Sequence, residues 1–102
     1  MFWKMAALKV VVQKRALQSI EQVADWYAFH LSEVAAMRFK NDVYNVIETL
    51  SKMPSIGVID ISIKSALPYY SFLVHPKYRL IYRYTKTTLY VVAIRANLKF
   101  NS

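Results

Sequence analysis

From Ala16 to Leu50 the apolar residues recur at three- and four-residue steps. Ala16, Ile20, Val23, Ala24, Tyr27 and Leu31 trace one face of a helix, with Gln18, Glu21, Gln22 and Asp25 mostly opposite. Trp26 and Phe29 flank that stripe and widen it. Ala36, Phe39, Val43, Val46, Ile47 and Leu50 trace a second stripe, and Arg38, Lys40, Asp42, Asn45 and Glu48 lie off it. Ser32 interrupts the first helix and is a residue type that caps the next. Pro54 closes the second helix, because a proline disfavours helical geometry at Met53 before it. Two helices with so short a join fold back as an antiparallel hairpin. Each then needs a further layer to cover its stripe.

That layer is legible on both sides of the hairpin. "LKVVV" (Leu8–Val12) is short and β-branched and reads as a first strand. Tyr69–Val74, Tyr78–Thr85 and Leu89–Arg95 read as three more, with "HPK" and "TKT" as turns. Joins this short imply an antiparallel meander. The segment Ser55–Pro68 between hairpin and meander holds Gly57 and reads as a connection with a short edge strand. The expected fold is α+β: an N-terminal strand, a helical hairpin, then a three-stranded antiparallel meander, with the helices on one sheet face. Residues 1–102 are expected to form one domain. Hydrophobic residues make up 56% of the chain, enough for a core without staples.

Alternation along Tyr78–Tyr84 separates two faces. Tyr78, Leu80, Tyr82 and Tyr84 suit packing on the hairpin. Lys77, Arg79, Ile81 and Arg83 make a solvated basic surface, which Arg95 joins if the register permits. The net charge of +8 favours a polyanionic partner: nucleic acid, an acidic protein or an anionic surface. The chain has no cysteine, so it has no disulfide or thiolate metal site, and its two histidines and scattered carboxylates lack metal-ligand spacing. Its single glycine excludes a glycine-rich phosphate loop. Neither a cofactor nor a metal is expected. Lys4 and Lys9 interrupt the apolar N-terminus, and no apolar run approaches the roughly 18–20 residues that span a bilayer. A cytoplasmic protein without a membrane partner is expected, starting at Met1 or at Met5.

"LKVVVQKRALQSIEQVADWY", "AAMRFKNDVYNVIETLSKMPSIG" and "VHPKYRLIYRYTKTTLYVVAI" occur in that order. They resemble the RelE/ParE superfamily of bacterial toxins over residues 8–96, the third through its Y-R-hydrophobic-hydrophobic-Y form. The resemblance implies the toxin of a type II toxin–antitoxin pair, neutralised by a cognate antitoxin. It implies one of two routes: ribosome-dependent mRNA cleavage in the RelE branch, or inhibition of DNA gyrase in the ParE branch. A non-toxic binding module of the same fold, acting in antitoxin binding and operon autoregulation, is the alternative.

The cleavage route uses the RNA 2′-hydroxyl and needs a base, an acid and cations for the charge on phosphorus, but no metal. By resemblance Arg79 is the phosphate-binding arginine. Arg83, Arg95 and His75 complete the candidate catalytic set, and Lys77, Arg79, Arg83, Lys99 and Tyr69 the candidate RNA- or phosphate-binding set. His75 has the right intrinsic pKa for proton transfer. His30 ends a helix, where positive charge suits the dipole, and is structural. Two features depart from the nuclease pattern. The strand "YYSFLVH" carries no lysine, and the segment from Arg95 through Asn97, Leu98 and Lys99 carries no histidine or tyrosine. Both lean toward the ParE branch or toward weakened nuclease chemistry.

Overall fold

The computed structural model describes residues 7–61, 63–75 (for His75 the backbone only) and 77–96. Strand β1 (Lys9–Val12) leads into α1 (Lys14–His30) and α2 (Glu33–Lys52). A short 3-10 turn (Pro54–Ile56) precedes β2 (Val58–Ile59), β3 (Tyr70–His75), β4 (Tyr78–Tyr84) and β5 (Thr88–Ala96). The strands form one sheet in the order β1-β5-β4-β3-β2. Strands β2 to β5 are antiparallel neighbours, and β1 lies parallel to β5 at the edge. The expected α+β architecture is borne out, and the edge strand expected in the connection is β2.

The helix boundaries have local causes. The Ser32 side chain accepts a hydrogen bond from Ala35 N–H at 3.0 Å and caps α2. Met53, just before Pro54, leaves helical geometry and ends it. The amide of Leu31 still bonds to Tyr27 C=O, so α1 ends at that residue. Leu31 therefore turns away from the stripe and is exposed, contrary to expectation. Trp26 and Phe29 also lie outside the buried stripe, at 50% and 84% exposure. Their phase on the 3.6-residue helix carries them past the sheet contact.

The core lies between the hairpin and one sheet face. Ala16, Ile20 and Ala24 of α1 and Phe39, Val43, Ile47 and Leu50 of α2 meet Leu80, Tyr82, Leu89, Val91 and Ile94. Small alanines on α1 let the helix approach the strands, while larger side chains of α2 fill the space beside it. Tyr82 is fully buried, and its hydroxyl is satisfied twice. It donates to Pro54 C=O at 2.6 Å and accepts from Gly57 N–H at 3.0 Å. Burial pushes its pKa up from 10.0 to about 12, against the lowering effect of the Gly57 amide. The only glycine stands where a side chain would not fit. A Cβ at Gly57 would fall on the Tyr82 hydroxyl and within 2.9 Å of Ser71 C=O. One phenol thus ties the exit of α2 to the β2 edge.

Candidate functional site

The sheet face away from the helices is set by register. Ser71 pairs with Ile81 and Leu73 with Arg79 across β3–β4. Across β4–β5, Arg79 pairs with Arg95, Ile81 with Ala93 and Arg83 with Tyr90. The register shifts between Ile81 and Tyr82, so Val92 is the extra residue of a bulge in β5. The bulge changes the phase of β5. Leu89, Val91 and Ile94 all reach the core, and Tyr90, Ala93 and Arg95 share the opposite face.

Arg79 Nη2 donates to Ser71 Oγ at 3.1 Å. Because Ser71 sits opposite Ile81, the arginine leans along the sheet toward the Ile81 rung, and away from Arg95 on the other flank. Ser71 is buried, so its hydroxyl would be costly to leave unpaired, and Arg79 satisfies it. Like charges directly opposite each other are unfavourable, and the lean separates Arg79 from Arg95. Arg83 places its guanidinium carbon 4.2 Å from the centroid of the Tyr90 ring, a cation–π contact.

The solvated surface expected here needs one correction. Ile81 is 1% exposed. Two long arginine stems stand two residues either side of it on the same face, and Arg79 bends toward its rung. The face is therefore a small apolar floor, Ile81 and Ala93, walled by Arg79, Arg83 and exposed Arg95.

The other candidates fall elsewhere. Lys77 lies in the turn before β4, where strand alternation has not begun. It lines a cleft of about 310 Å³ with Gln22, Val23, Trp26, Tyr27 and Tyr78, toward α1 rather than beside Arg79. Tyr69 precedes β3 and is half-buried, and its carbonyl accepts from Asp60 N–H at 2.8 Å. Lys99 and the His75 side chain lie outside the described residues. His30 stacks on Trp26 with centroids 4.5 Å apart, and its Nδ1 lies 3.1 Å from Trp26 C=O. Sequence reasoning gave Ser71 and Tyr90 no part in holding the arginines. The signal was the pairing register, which alternation within one strand does not carry. Among the described residues no cluster of three or more His, Asp or Glu side chains could hold a metal.

The helices are balanced in charge. The helices carry Lys14, Arg15, Arg38, Lys40 and Lys52 against Glu21, Asp25, Glu33, Asp42 and Glu48, and so balance. The whole excess of +8 belongs to residues outside them.

A family of ParE toxins of type II toxin–antitoxin (parDE) systems matches residues 10–97. The chain belongs to the ParE toxin family. It is the toxin component of a type II toxin–antitoxin system. No curated protein sequence matches it significantly. Among solved structures, a chromosomal ParDE toxin–antitoxin system from Pseudomonas aeruginosa superposes with a TM-score of 0.71 at 13% identity, covering 88% of this chain and 96% of that one. A YoeB dimer from Staphylococcus aureus gives 0.59 at 14% identity, covering 90% and 99%. The RelBE2 toxin–antitoxin complex from Mycobacterium tuberculosis gives 0.55 at 18%, covering 92% and 95%. These likenesses establish that this ParE-family chain has the fold the three share. Among the described residues no helix is long and apolar enough to cross a membrane.

Proposed function

We propose that this ParE-family toxin is held inactive by a cognate antitoxin and, once free, arrests growth in the cytoplasm by engaging DNA gyrase through the face of Arg79, Arg83 and Arg95. The observation that carries the reading is the chemistry of that face. On β3, β4 and β5 its described side chains are Ser71, Leu73, Arg79, Ile81, Arg83, Thr88, Tyr90, Ala93 and Arg95. Arginine stays charged at any pH where an enzyme works, so it can neutralise an anion but cannot shuttle a proton. Arg79 and Arg83 are held by neutral protein groups around an apolar floor. That arrangement binds an anionic, partly apolar surface. Cleavage of RNA would need a proton donor and acceptor as well, and among these described side chains Tyr90, lying under Arg83, is the one phenol.

The test uses the purified, antitoxin-free protein in two assays. Plasmid supercoiling by gyrase is expected to fall, and mRNA on programmed ribosomes is expected to stay intact by primer extension. Undiminished supercoiling, together with cuts at the A-site codon that Arg79→Ala abolishes, would replace the gyrase reading with the ribosomal one.

A further inference from the structure

The helical hairpin carries apolar side chains on the side turned away from the sheet. On α2, Val34, Met37, Asn41 and Tyr44 recur at three- and four-residue steps and so share one face. It is the far side of the helix from the buried Ala36, Phe39, Val43, Ile47 and Leu50. Val34 and Met37 are each 62% exposed. On α1, Phe29 points away from buried Ala16, Ile20 and Ala24, and exposed Trp26 stands one turn before it. Exposed Leu31, in the turn, joins the two stripes. The exposed parts of Trp26, Phe29, Leu31, Val34, Met37 and Tyr44 come to roughly 800 Å², the share each partner contributes to a standard interface. Soluble monomers rarely leave an apolar patch larger than this uncovered.

The patch holds a projection and a socket. Phe29 stands clear of the helix, braced by an edge contact to His30 with centroids 5.0 Å apart. Val34, Met37, Arg38 and Asn41 line a depression of about 290 Å³ on the outer side of α2, which has room for a phenyl ring. Phe29 of the same chain is not part of its wall. Arg38 at the rim suits an aromatic guest, because a guanidinium packs on a ring face.

Charge selects the occupant. Lys40 pairs with Glu21 at 3.1 Å and Lys52 with Glu48 at 3.6 Å, and the helices as a whole balance. A polyanion is therefore not drawn to this side. A second copy of the chain, itself at +8, meets least repulsion here, because both arginine faces then point outward. Two copies joined through the sheet face would oppose those arginines.

We infer that the outer face of the hairpin joins two copies of this chain about a two-fold axis, with Phe29 of each seated in the α2 depression of the other. One contact made twice closes the pair and leaves no socket free for a third copy. The two hairpins stack as a four-helix layer between two sheets. Both basic faces stay open to solvent, so the pair is bivalent toward whatever those faces bind.

The test is sedimentation velocity of the purified, antitoxin-free, full-length protein. Twice the chain mass is expected at about 20 μM, within the range of affinities that interfaces of this area reach. That mass is expected to persist in about 0.5 M NaCl, because the balanced helices hold the pair by no attraction that salt can screen. Phe29→Glu places a charge in the socket and is expected to weaken the pair by about 100-fold or more. Val58→Glu, at an exposed apolar position on β2, is expected to leave it unchanged. Both variants should keep the parent's circular dichroism spectrum, because both positions are exposed. A single-chain mass at about 100 μM, a concentration that would saturate even a weak interface, would overturn the inference and assign the patch to a different protein. Dissociation in salt would overturn it too, as would masses that grow past two chains with concentration. So would a pair that survives Phe29→Glu and is lost in Val58→Glu.

Discussion

The Tyr82 hydroxyl is the most heavily committed polar group in the core, and removing it alone is a quantitative test of the fold. Tyr82→Phe keeps the ring among Leu80, Leu89 and Val91 but strands Pro54 C=O and Gly57 N–H, which it now bonds at 2.6 and 3.0 Å. A hydrogen bond contributes about 1 kcal/mol net, and a partner left without one costs about 1–3 kcal/mol more when it is enclosed. Both partners are only part-buried, so water recovers some of this, and the expected loss is about 2–3 kcal/mol. For a chain of this size, that lowers Tm by about 10–20 °C. Thermal and urea unfolding followed by circular dichroism would measure it. A Tyr82→Phe protein melting within about 2 °C of the parent would refute the reasoning, because the two bonds would then contribute nothing measurable. Gly57→Ala supplies the second arm, since its Cβ displaces the same hydroxyl and presses on Ser71 C=O, a backbone atom with little room to move. The losses from Gly57→Ala and Tyr82→Phe should combine less than additively, because each breaks the same amide–phenol bond.

The same phenol sets an alkaline limit. Its folded pKa of about 12 lies above the ordinary 10.0, so the stability it contributes is whole below pH 10 and is lost as pH climbs toward 12, a loss that Tyr82→Phe should reduce in pH-dependent unfolding. Ser32→Ala removes the cap on Ala35 N–H and should cost about 1 kcal/mol, read as a lower urea midpoint with an unchanged slope. Arg79→Ala should relieve growth arrest while leaving a cooperatively folded protein, and persistent toxicity of that folded variant would take Arg79 out of the site. Tyr82→Ala, which also deletes the ring, should cost about 3–5 kcal/mol by the same unfolding assays.

Most of the architecture was readable from period and punctuation. The stripes of α1 and α2, the Ser32 cap and the Pro54 stop are local features of the chain, and local physics made them. The parity of β4 likewise assigned Leu80 and Tyr82 to the core and Arg79 and Arg83 to the other face. What escaped depends on contacts between distant segments. The bulge at Val92 brings Tyr90 under Arg83, and nothing within "LYVVAIR" signals a skipped rung. Ile81 is buried because side chains from three strands converge around it, whereas alternation reports direction and not cover. Lys77 left the basic face because a turn residue obeys no strand parity. The parallel docking of β1 beside β5 joins the two ends of the described chain and has no local signature.

The division of charge between the two layers governs how this protein meets a partner before any contact forms. A body whose helices balance in charge and whose opposite sheet face carries Arg79, Arg83 and Arg95 has a permanent dipole. The field of an approaching polyanion exerts a torque on it and presents the arginine face first. Encounter with a polyanionic partner should accelerate as salt is lowered and slow as counterions shorten the range of that torque. A partner that reads the helices meets surfaces of balanced charge, so its association rate should respond far less to ionic strength. The salt dependence of association therefore identifies which side of the molecule a partner approaches, from rates alone.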